Sequence, residues 1–292
     1  MLVGHFAEYM PAQIDPRLFV ETLLPVVRQC ARASLIFYGQ VADIGKPPDT
    51  RLTGPEAQQA SGVLTVLDCA LQDLILSVVL SNFPGIGCIA EEATPLRRRC
   101  AGKSEKYTLI LDPIDGTIHY QRGDEPYHIS VGLAREGRMV AAVVARPTED
   151  KIFTAVRGQG AFVQQGRRAP RRLRLGATPR TRQLYVSTKA RPYQQAFRPQ
   201  YDPREFPIGA ALVLTRIAEG RLCAYLTRQV AIYDVGPPSL IAEEAGARCL
   251  LRDGREPRYR GGRKFSYYLC AATPQLQELL LGVVRDVRGE KQ

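Results

Sequence analysis

The segment with the clearest chemical content runs from Tyr107 to Thr117 and reads YTLILDPIDGT. An apolar run leads into Asp112, Pro113 turns the chain, and Asp115 follows three residues after the first aspartate. Two carboxylates at one turn can face the same point, and the Gly116-Thr117 step lets backbone N–H groups approach an anion beside them. The pattern suits a site that holds a divalent cation and a phosphate together, but a structural turn capped by aspartate accounts for it equally well.

Two further acidic features accompany these aspartates. Glu91 and Glu92 follow a short apolar run, and Asp234 stands in IYDVGPP, ahead of a helix that we expect Pro237 and Pro238 to open. Taken singly, paired glutamates are typical of a solvated edge and an aspartate before a helix is typical of an N-cap. Four carboxylates without histidine or cysteine make an oxygen-only donor set, which favours Mg²⁺ or Mn²⁺ over zinc.

Five motifs in fixed order extend the pattern over about residues 15–275. They are GVLTVLD (Gly62 to Asp68), AEE (Ala90 to Glu92), LDPIDGT (Leu111 to Thr117), RGQGAF (Arg157 to Phe162) and YDVGPPSLIAEEAGA (Tyr233 to Ala247). On these motifs the chain resembles the inositol monophosphatase superfamily. These Mg²⁺-dependent, lithium-sensitive phosphatases include inositol monophosphatases, fructose-1,6-bisphosphatases and 3′(2′),5′-bisphosphate nucleotidases.

The resemblance implies a role for each matching residue. The first metal is held by Glu91, Asp112 and the Ile114 carbonyl, and the second by Asp112, Asp115 and Asp234. Glu91 also helps a weaker third ion through water. The backbone amides of Gly116 and Thr117 receive the phosphate, while the Thr117 hydroxyl, paired with Asp68, orients and deprotonates the attacking water. Catalysis is thus assigned to Asp68, Glu91 and Thr117.

Substrate selection depends on positions where the chain departs from the family pattern. Inositol-selective members carry a glutamate seven residues before the last metal-binding aspartate, and this chain has Thr227 there, which weakens the inositol interpretation. The run from Ser187 to Lys189 is similar to a basic stretch of the bisphosphate nucleotidases. Lys189 and Arg228 are therefore candidates for a second phosphate, with solvated surface charge as the alternative. A Pro/Gly-rich loop at 43–62 is a third candidate region.

The chain alternates helix and strand signals, which predicts an α/β or α+β fold. The resemblance implies a layered αβαβα sandwich, and we divide it into an N-terminal α+β part, 1–175, with the EE and DPIDGT motifs and a C-terminal α/β part, 176–292, with the YD motif. Hydrophobic periodicity predicts helices at 16–39, 68–83, 210–219 and 237–245. It predicts strands at 87–90, 107–111, 128–134, 139–145, 151–156, 184–187 and 222–226.

The charge balance is strongly basic, with 40 Lys+Arg against 29 Asp+Glu and a net charge of +11. Such a surplus attracts phosphate-bearing partners. The arginines nevertheless cluster in loops with few aromatic residues nearby, which argues against nucleic-acid binding. The resemblance implies a small phosphate ester as the partner and a homodimer as the assembly.

The N-terminal residues, the lack of a long apolar window and the cysteines indicate the cellular compartment of the protein. Residues 1–13 lack a basic region followed by an apolar stretch, and no window approaches the length of a membrane span, so we expect a cytoplasmic protein without a membrane partner. Seven scattered cysteines with no C-x-x-C spacing predict reduced, mostly buried thiols.

The leading hypothesis is a Mg²⁺-dependent phosphomonoesterase that uses two to three Mg²⁺ ions, accepts Mn²⁺ as an alternative and is inhibited by Li⁺. Its substrate would be an inositol-like or sugar phosphate, with a 3′(2′),5′-bisphosphate nucleotidase or a fructose-1,6-bisphosphatase as alternatives. A catalytically weak relative that serves as a binding protein is the alternative of another class. Motif decay would favour it, but every acidic motif residue is present.

Overall fold

The computed structural model describes residues 13–47, 64–100, 106–205, 208–261 and 264–286. Its helices are α1 (Pro16–Ile36), α2 (Val66–Asn82), α3 (Pro95–Cys100), α4 (Thr117–Arg122), α5 (Ala210–Ala218), α6 (Ile232–Ala245) and α7 (Pro274–Asp286). None of these described helices is both long enough and apolar enough to cross a membrane. Most of the loop singled out at 43–62 lies outside the described residues.

Twelve strands among the described residues form two sheets. Strands β1 (Gly87–Ala90), β2 (Tyr107–Asp115), β3 (His128–Arg135), β4 (Arg138–Arg146), β5 (Lys151–Val156), β6 (Gly160–Gln165) and β7 (Arg171–Leu173) follow one another in the first sheet. The second sheet has the order β11-β12-β10-β8-β9 and consists of β8 (Gln183–Val186), β9 (Asp202–Arg204), β10 (Ala224–Ala231), β11 (Arg248–Leu250) and β12 (Lys264–Ala271).

The sheets and helices stack in five layers, which confirms the predicted αβαβα arrangement. Helices α1 and α2 cover one face of the first sheet, α5 and α6 lie between the sheets, and α7 covers the outer face of the second. Each layer buries the apolar stripe of its helices; in α1 the stripe is Phe19, Leu23, Val27 and Cys30. The chain passes to the second sheet after Leu173, and the division into parts 1–175 and 176–292 stays a prediction.

Strand β2 is longer than the apolar run predicts, because it continues through both aspartates to Asp115. The expected turn at Pro113 is therefore wrong. Between Asp112 and Asp115 the register with β3 shifts, which marks a bulge. Proline lacks the N–H that a regular ladder needs, so it is accommodated at this irregularity without ending the strand.

Helix α6 also begins earlier than predicted, at Ile232, so Asp234 lies in its first turn rather than ahead of it. Pro237 and Pro238 are buried inside the helix instead of opening it. A Cβ on Gly236 would lie 3.2 Å from Cγ2 of Ile110, so the small residue lets α6 pack closely against β2. This packing places the start of α6 beside the carboxylates of β2.

The prediction that all the cysteines are reduced is wrong for two of them. Cys88 in β1 and Cys100 at the end of α3 form a disulfide, with their Cα atoms 5.6 Å apart. The pairing depends on α3 folding back beside β1, which no cysteine spacing reveals. Cys30, Cys223, Cys249 and Cys270 are free and buried as expected, whereas free Cys69 is partly exposed.

Candidate active site

The two aspartates of β2 lie beside the glutamate pair because β1 and β2 are parallel neighbours. The Glu91 N–H donates to the Leu111 carbonyl at 3.2 Å, which fixes the end of β1 next to Asp112. Asp112 is buried, and the Ile114 N–H donates to its Oδ1 at 3.1 Å. Residues from two motifs thus meet at one edge of the first sheet.

The Gly116-Thr117 step forms the turn that the sequence predicts. Gly116 has φ = +93°, a left-handed conformation that favours glycine, and α4 begins at the next residue. The Thr117 hydroxyl lies 3.0 Å from the Ile114 carbonyl and 3.3 Å from Oδ1 of Asp68, and it can donate to either. The structure therefore brings together Thr117 and Asp68, which are 49 positions apart.

Asp68 is held by the N-terminus of α2. Its Oδ2 accepts from the Thr65 N–H at 2.8 Å and from the Thr65 hydroxyl at 2.5 Å, completing a capping box. Burial raises the pKa of Asp68 to about 6; the Thr65 hydrogen bonds oppose this rise, and the charge of Glu91 adds to it. A carboxylate with such a pKa can accept a proton near neutral pH.

Asp234 joins the cluster from the first turn of α6. Its Oδ2 accepts from the Ala231 N–H at 3.3 Å. Burial and the charge of Glu91 raise the pKa of Asp234 to about 7, while the nearby Lys189 and Lys264 oppose the rise. The acidic residues of three motifs therefore act on one another electrostatically.

The carboxyl group of Asp112 is affected by the charges of three other carboxylates. Burial raises the pKa of Asp112 well above its ordinary value, and the charges of Glu91, Asp115 and Asp234 raise it further, in that order. Such a buried group of like charges is costly without a compensating cation. All of its donors are oxygens, as a hard divalent ion requires.

Asp115 accepts a backbone hydrogen bond that the sequence analysis did not predict. The Ala211 N–H at the start of α5 donates to its Oδ2 at 2.7 Å. A Cβ on Gly209 would lie only 2.3 Å from the same oxygen, so glycine is needed for the helix to approach. The run of small residues from Gly209 to Ala211 is the one sequence signal that could have indicated this contact.

Lys46 is the other site residue that the sequence analysis missed. Its ammonium lies 2.8 Å from Oε1 of Glu91 and 2.6 Å from Oε1 of Glu92. Burial and the charge of Glu91 raise the pKa of Glu92 to about 7, although Lys46 opposes this. Lys46 thus supplies positive charge to the glutamate pair.

The hydrogen bonds and ion pairs of these carboxylates affect how they would bind an ion. In the part of the chain that the structure describes, no three His, Cys, Asp or Glu side chains are arranged to hold a metal ion as they stand. Glu91 contacts the Lys46 ammonium and Asp115 accepts from Ala211. The donor set fits Mg²⁺ in its chemistry, because every group in it offers oxygen.

The residues predicted to contact substrate lie around the second sheet. The hydroxyl oxygens of Ser187 and Thr227 are 2.8 Å apart and buried. The Lys189 ammonium donates to the Gln229 carbonyl at 3.1 Å and is near enough to lower the pKa of Asp234. Arg228 stacks on the Tyr267 ring, 5.1 Å from its centroid. Lys189 is therefore linked to the carboxylate cluster, whereas Arg228 is engaged with an aromatic ring.

The RGQGAF motif has a structural role. The Glu244 carboxylate accepts from the N–H groups of Gly158 at 2.9 Å and Gly160 at 2.8 Å. Arg157 forms a salt bridge of 2.8 Å with Glu243. The β5–β6 turn is thereby fixed to α6, the helix whose first turn carries Asp234.

Comparison with known proteins finds similar sequences and similar structures. The inositol monophosphatase family model matches residues 27–288. A Nus factor SuhB from Pasteurella multocida is 30% identical over 236 residues, which cover 78% of this chain and 84% of the relative. An inositol-1-monophosphatase from Mycobacterium bovis is 30% identical over 238 residues, 77% and 79% of the two chains. The solved Thermotoga maritima IMPase superposes with a TM-score of 0.72 at 21% identity, covering 93% of this chain and 97% of its own.

Proposed function

Because this chain belongs to the inositol monophosphatase family and is a phosphoric monoester hydrolase, we propose that it hydrolyses a small soluble phosphate ester with the help of Mg²⁺. The observation that carries the proposal is the buried cluster around Asp112, where Glu91, Asp115 and Asp234 each raise the pKa of its carboxyl group. Divalent cations would relieve this repulsion, and their charge would attract a phosphate dianion.

In the proposed mechanism Glu91, Asp112 and the Ile114 carbonyl would hold one Mg²⁺, and Asp112, Asp115 and Asp234 would hold another. Glu91 also serves a weaker third ion through water. Bound Mg²⁺ offsets the charge of the phosphate and makes water more acidic. Mn²⁺ would bind the same oxygen donors, and Li⁺ would inhibit.

The remaining steps belong to groups of the chain itself. The backbone N–H groups of Gly116 and Thr117 bind and orient the phosphoryl oxygens. The Thr117 hydroxyl orients the attacking water. Asp68, 3.3 Å from that hydroxyl, accepts through it the proton that the water loses as it attacks phosphorus. The burial that raises the pKa of Asp68 to about 6 supports this role, because a base with a pKa near the working pH transfers protons efficiently.

The substrate-facing residues favour one candidate beyond inositol and sugar phosphates. Thr227 stands where inositol-selective members carry a glutamate, and its hydroxyl oxygen lies 2.8 Å from that of Ser187. Lys189, whose charge reaches Asp234, supplies a cation beside them. An ester with a second phosphate, such as a 3′(2′),5′-bisphosphate nucleotide, would meet less repulsion here than at a carboxylate. Arg228 would contribute only if it left the Tyr267 ring.

A catalytically weak binding protein is the less favoured function. It would not need the Asp68–Thr117 pair or the buried carboxylates, which are costly to keep. We also propose a cytoplasmic homodimer that acts on a small molecule rather than on nucleic acid.

Phosphate release from a substrate panel tests the proposal. The purified protein is assayed with Mg²⁺, with and without Li⁺, on inositol 1-phosphate, fructose 1,6-bisphosphate, 3′-phosphoadenosine 5′-phosphate and histidinol phosphate. We expect turnover of at least one ester and inhibition by Li⁺. No release from any of the four would support the binding-protein alternative.

Substituting one metal ligand links this activity to the site. Asp112→Asn removes a charge that the proposal assigns to both ions, so we expect a loss of at least about 10³-fold in kcat/KM. Asp253→Asn is the matched control, because the Asp253 side chain is exposed and pairs with the neighbouring Arg255. Equal activities of the two variants would contradict the assignment.

A further inference from the structure

Arg146 is a fully buried cation that the mechanism above does not use. It ends β4, and its side chain has no exposed surface. Its guanidinium donates to Glu149 and Glu219 at 3.1 Å and stacks on Phe153, 5.1 Å from the ring centroid. A buried charge is retained at a cost unless every partner is in place, so its environment is tightly specified.

A chain of hydrogen bonds leads from Arg146 to Asp115 through α5. The Arg146 guanidinium donates to the Thr215 hydroxyl oxygen at 2.6 Å. The same hydroxyl donates to the Ala211 carbonyl at 2.7 Å, one turn earlier in the helix. The Ala211 N–H then donates to the Asp115 carboxylate at 2.7 Å.

A second route runs through His128. This residue is the register partner of Asp115 across β2 and β3. Its Nε2 accepts from Nε of Arg146 at 3.1 Å, which requires the neutral imidazole. Arg146 therefore contacts the element on each side of Asp115: the helix in front of it and the strand beside it.

The far end of α5 is fixed as well. Glu219, which follows the last turn, accepts from Arg146 at 3.1 Å and from the Lys151 ammonium at 2.8 Å. The near end of α5 is in close contact with Asp115, since a Cβ on Gly209 would clash with its carboxylate. A small displacement of the helix would therefore be transmitted to the carboxylate.

We propose that Arg146 is a positioning residue that seats α5 through Thr215 and thereby holds the Asp115 carboxylate in the orientation needed to bind a divalent cation. The inference rests on the proposed function, since it takes Asp115 as a metal ligand. Substituting a residue that orients a metal ligand from behind typically changes metal affinity by about 10- to 100-fold.

Thr215 provides a better test than Arg146, because removing the arginine would also break its ion pairs with Glu149 and Glu219 and empty a fully buried position. Thr215→Val removes the hydroxyl and keeps the shape, whereas Thr215→Ser keeps the hydroxyl. The full-length variants are titrated with Mn²⁺ alone, with binding followed by electron paramagnetic resonance. We expect Thr215→Val to weaken Mn²⁺ binding about tenfold, the lower end of this range, and Thr215→Ser to retain most of the affinity of the unmodified protein.

Thr273→Val controls for general destabilisation. Thr273 is also a buried threonine at a helix, and its hydroxyl oxygen accepts from the Leu276 N–H at 3.4 Å, at the start of α7. We expect this variant to lower the melting temperature without changing Mn²⁺ affinity. Unchanged affinity in Thr215→Val, with Mn²⁺ bound by the unmodified protein, would overturn the inference alone. No Mn²⁺ binding by the unmodified protein would overturn the proposed function and this inference with it.

Discussion

At the scale of single residues, burial and mutual repulsion disfavour the charged form of the carboxyl groups. The pKa of Asp68 is raised to about 6 and that of Asp234 to about 7, with burial as the main cause in both. A carboxyl group whose pKa is raised on folding is protonated more readily in the folded state. Its contribution to stability is complete below its ordinary pKa, near 4, and is lost as the pH rises through 6 to 7.

The metal-free protein should therefore become less stable as the pH rises. We expect the melting temperature in excess chelator to fall between pH 5.5 and pH 8, because the charged carboxylates repel one another. Saturating Mg²⁺ should raise the melting temperature, by a margin that grows with pH. Thermal unfolding over this range, with Asp234→Asn as a variant that flattens the slope, measures the effect. A melting temperature that rises with pH in chelator would contradict this account of the cluster.

The sequence predicts the acidic residues but not their neighbours. Asp112 and Asp115 are visible because they share one turn-like motif, and Glu91 because it ends a neighbouring run. Lys46 contacts Glu91 from 45 positions away, and Ala211 contacts Asp115 from 96 positions away. Such contacts depend on the packing of separate elements, which local spacing does not encode.

At the scale of elements, the disulfide joins β1 to α3 on either side of the glutamate pair. Its closed loop spans 12 positions, for which cross-linking stabilises a folded chain by about 2 to 4 kcal/mol. We expect a thiol reductant to lower the free energy of unfolding of the unmodified protein by this amount, as measured by urea denaturation. The double variant Cys88→Ser, Cys100→Ser should be equally destabilised and insensitive to reductant. An unmodified protein that does not respond to reductant would show that the bond is absent in solution.

Element boundaries were hardest to predict where proline lies inside an element. Hydrophobic periodicity located α1, α2 and strands β1 to β5 to within a few residues, but it did not indicate β6 or β7. Pro113 and the Pro237-Pro238 pair are ordinary boundary signals, yet β2 and α6 continue through them. In β2 a bulge accommodates the proline, and in α6 burial between the two sheets sustains the helix.

At the scale of the whole molecule, five layers bring the start of α6 to the end of β2, so residues of three motifs meet. The family resemblance implied this architecture, because members of one family share a fold, and motif order alone would not have given it. The net charge of +11 predicted nothing comparable. The residues that form the site are mainly acidic, and a bound cation would reverse their sign.

The dependence of phosphate release on Mg²⁺ tests the central claim most directly. Release from the best substrate of the panel is followed in Mg²⁺, then in excess chelator, then after Mg²⁺ is restored. We predict full activity in Mg²⁺, loss to the background of Asp112→Asn in chelator, and recovery on restoration, because four carboxylates without a cation would repel the phosphate. Undiminished turnover in excess chelator would contradict the account.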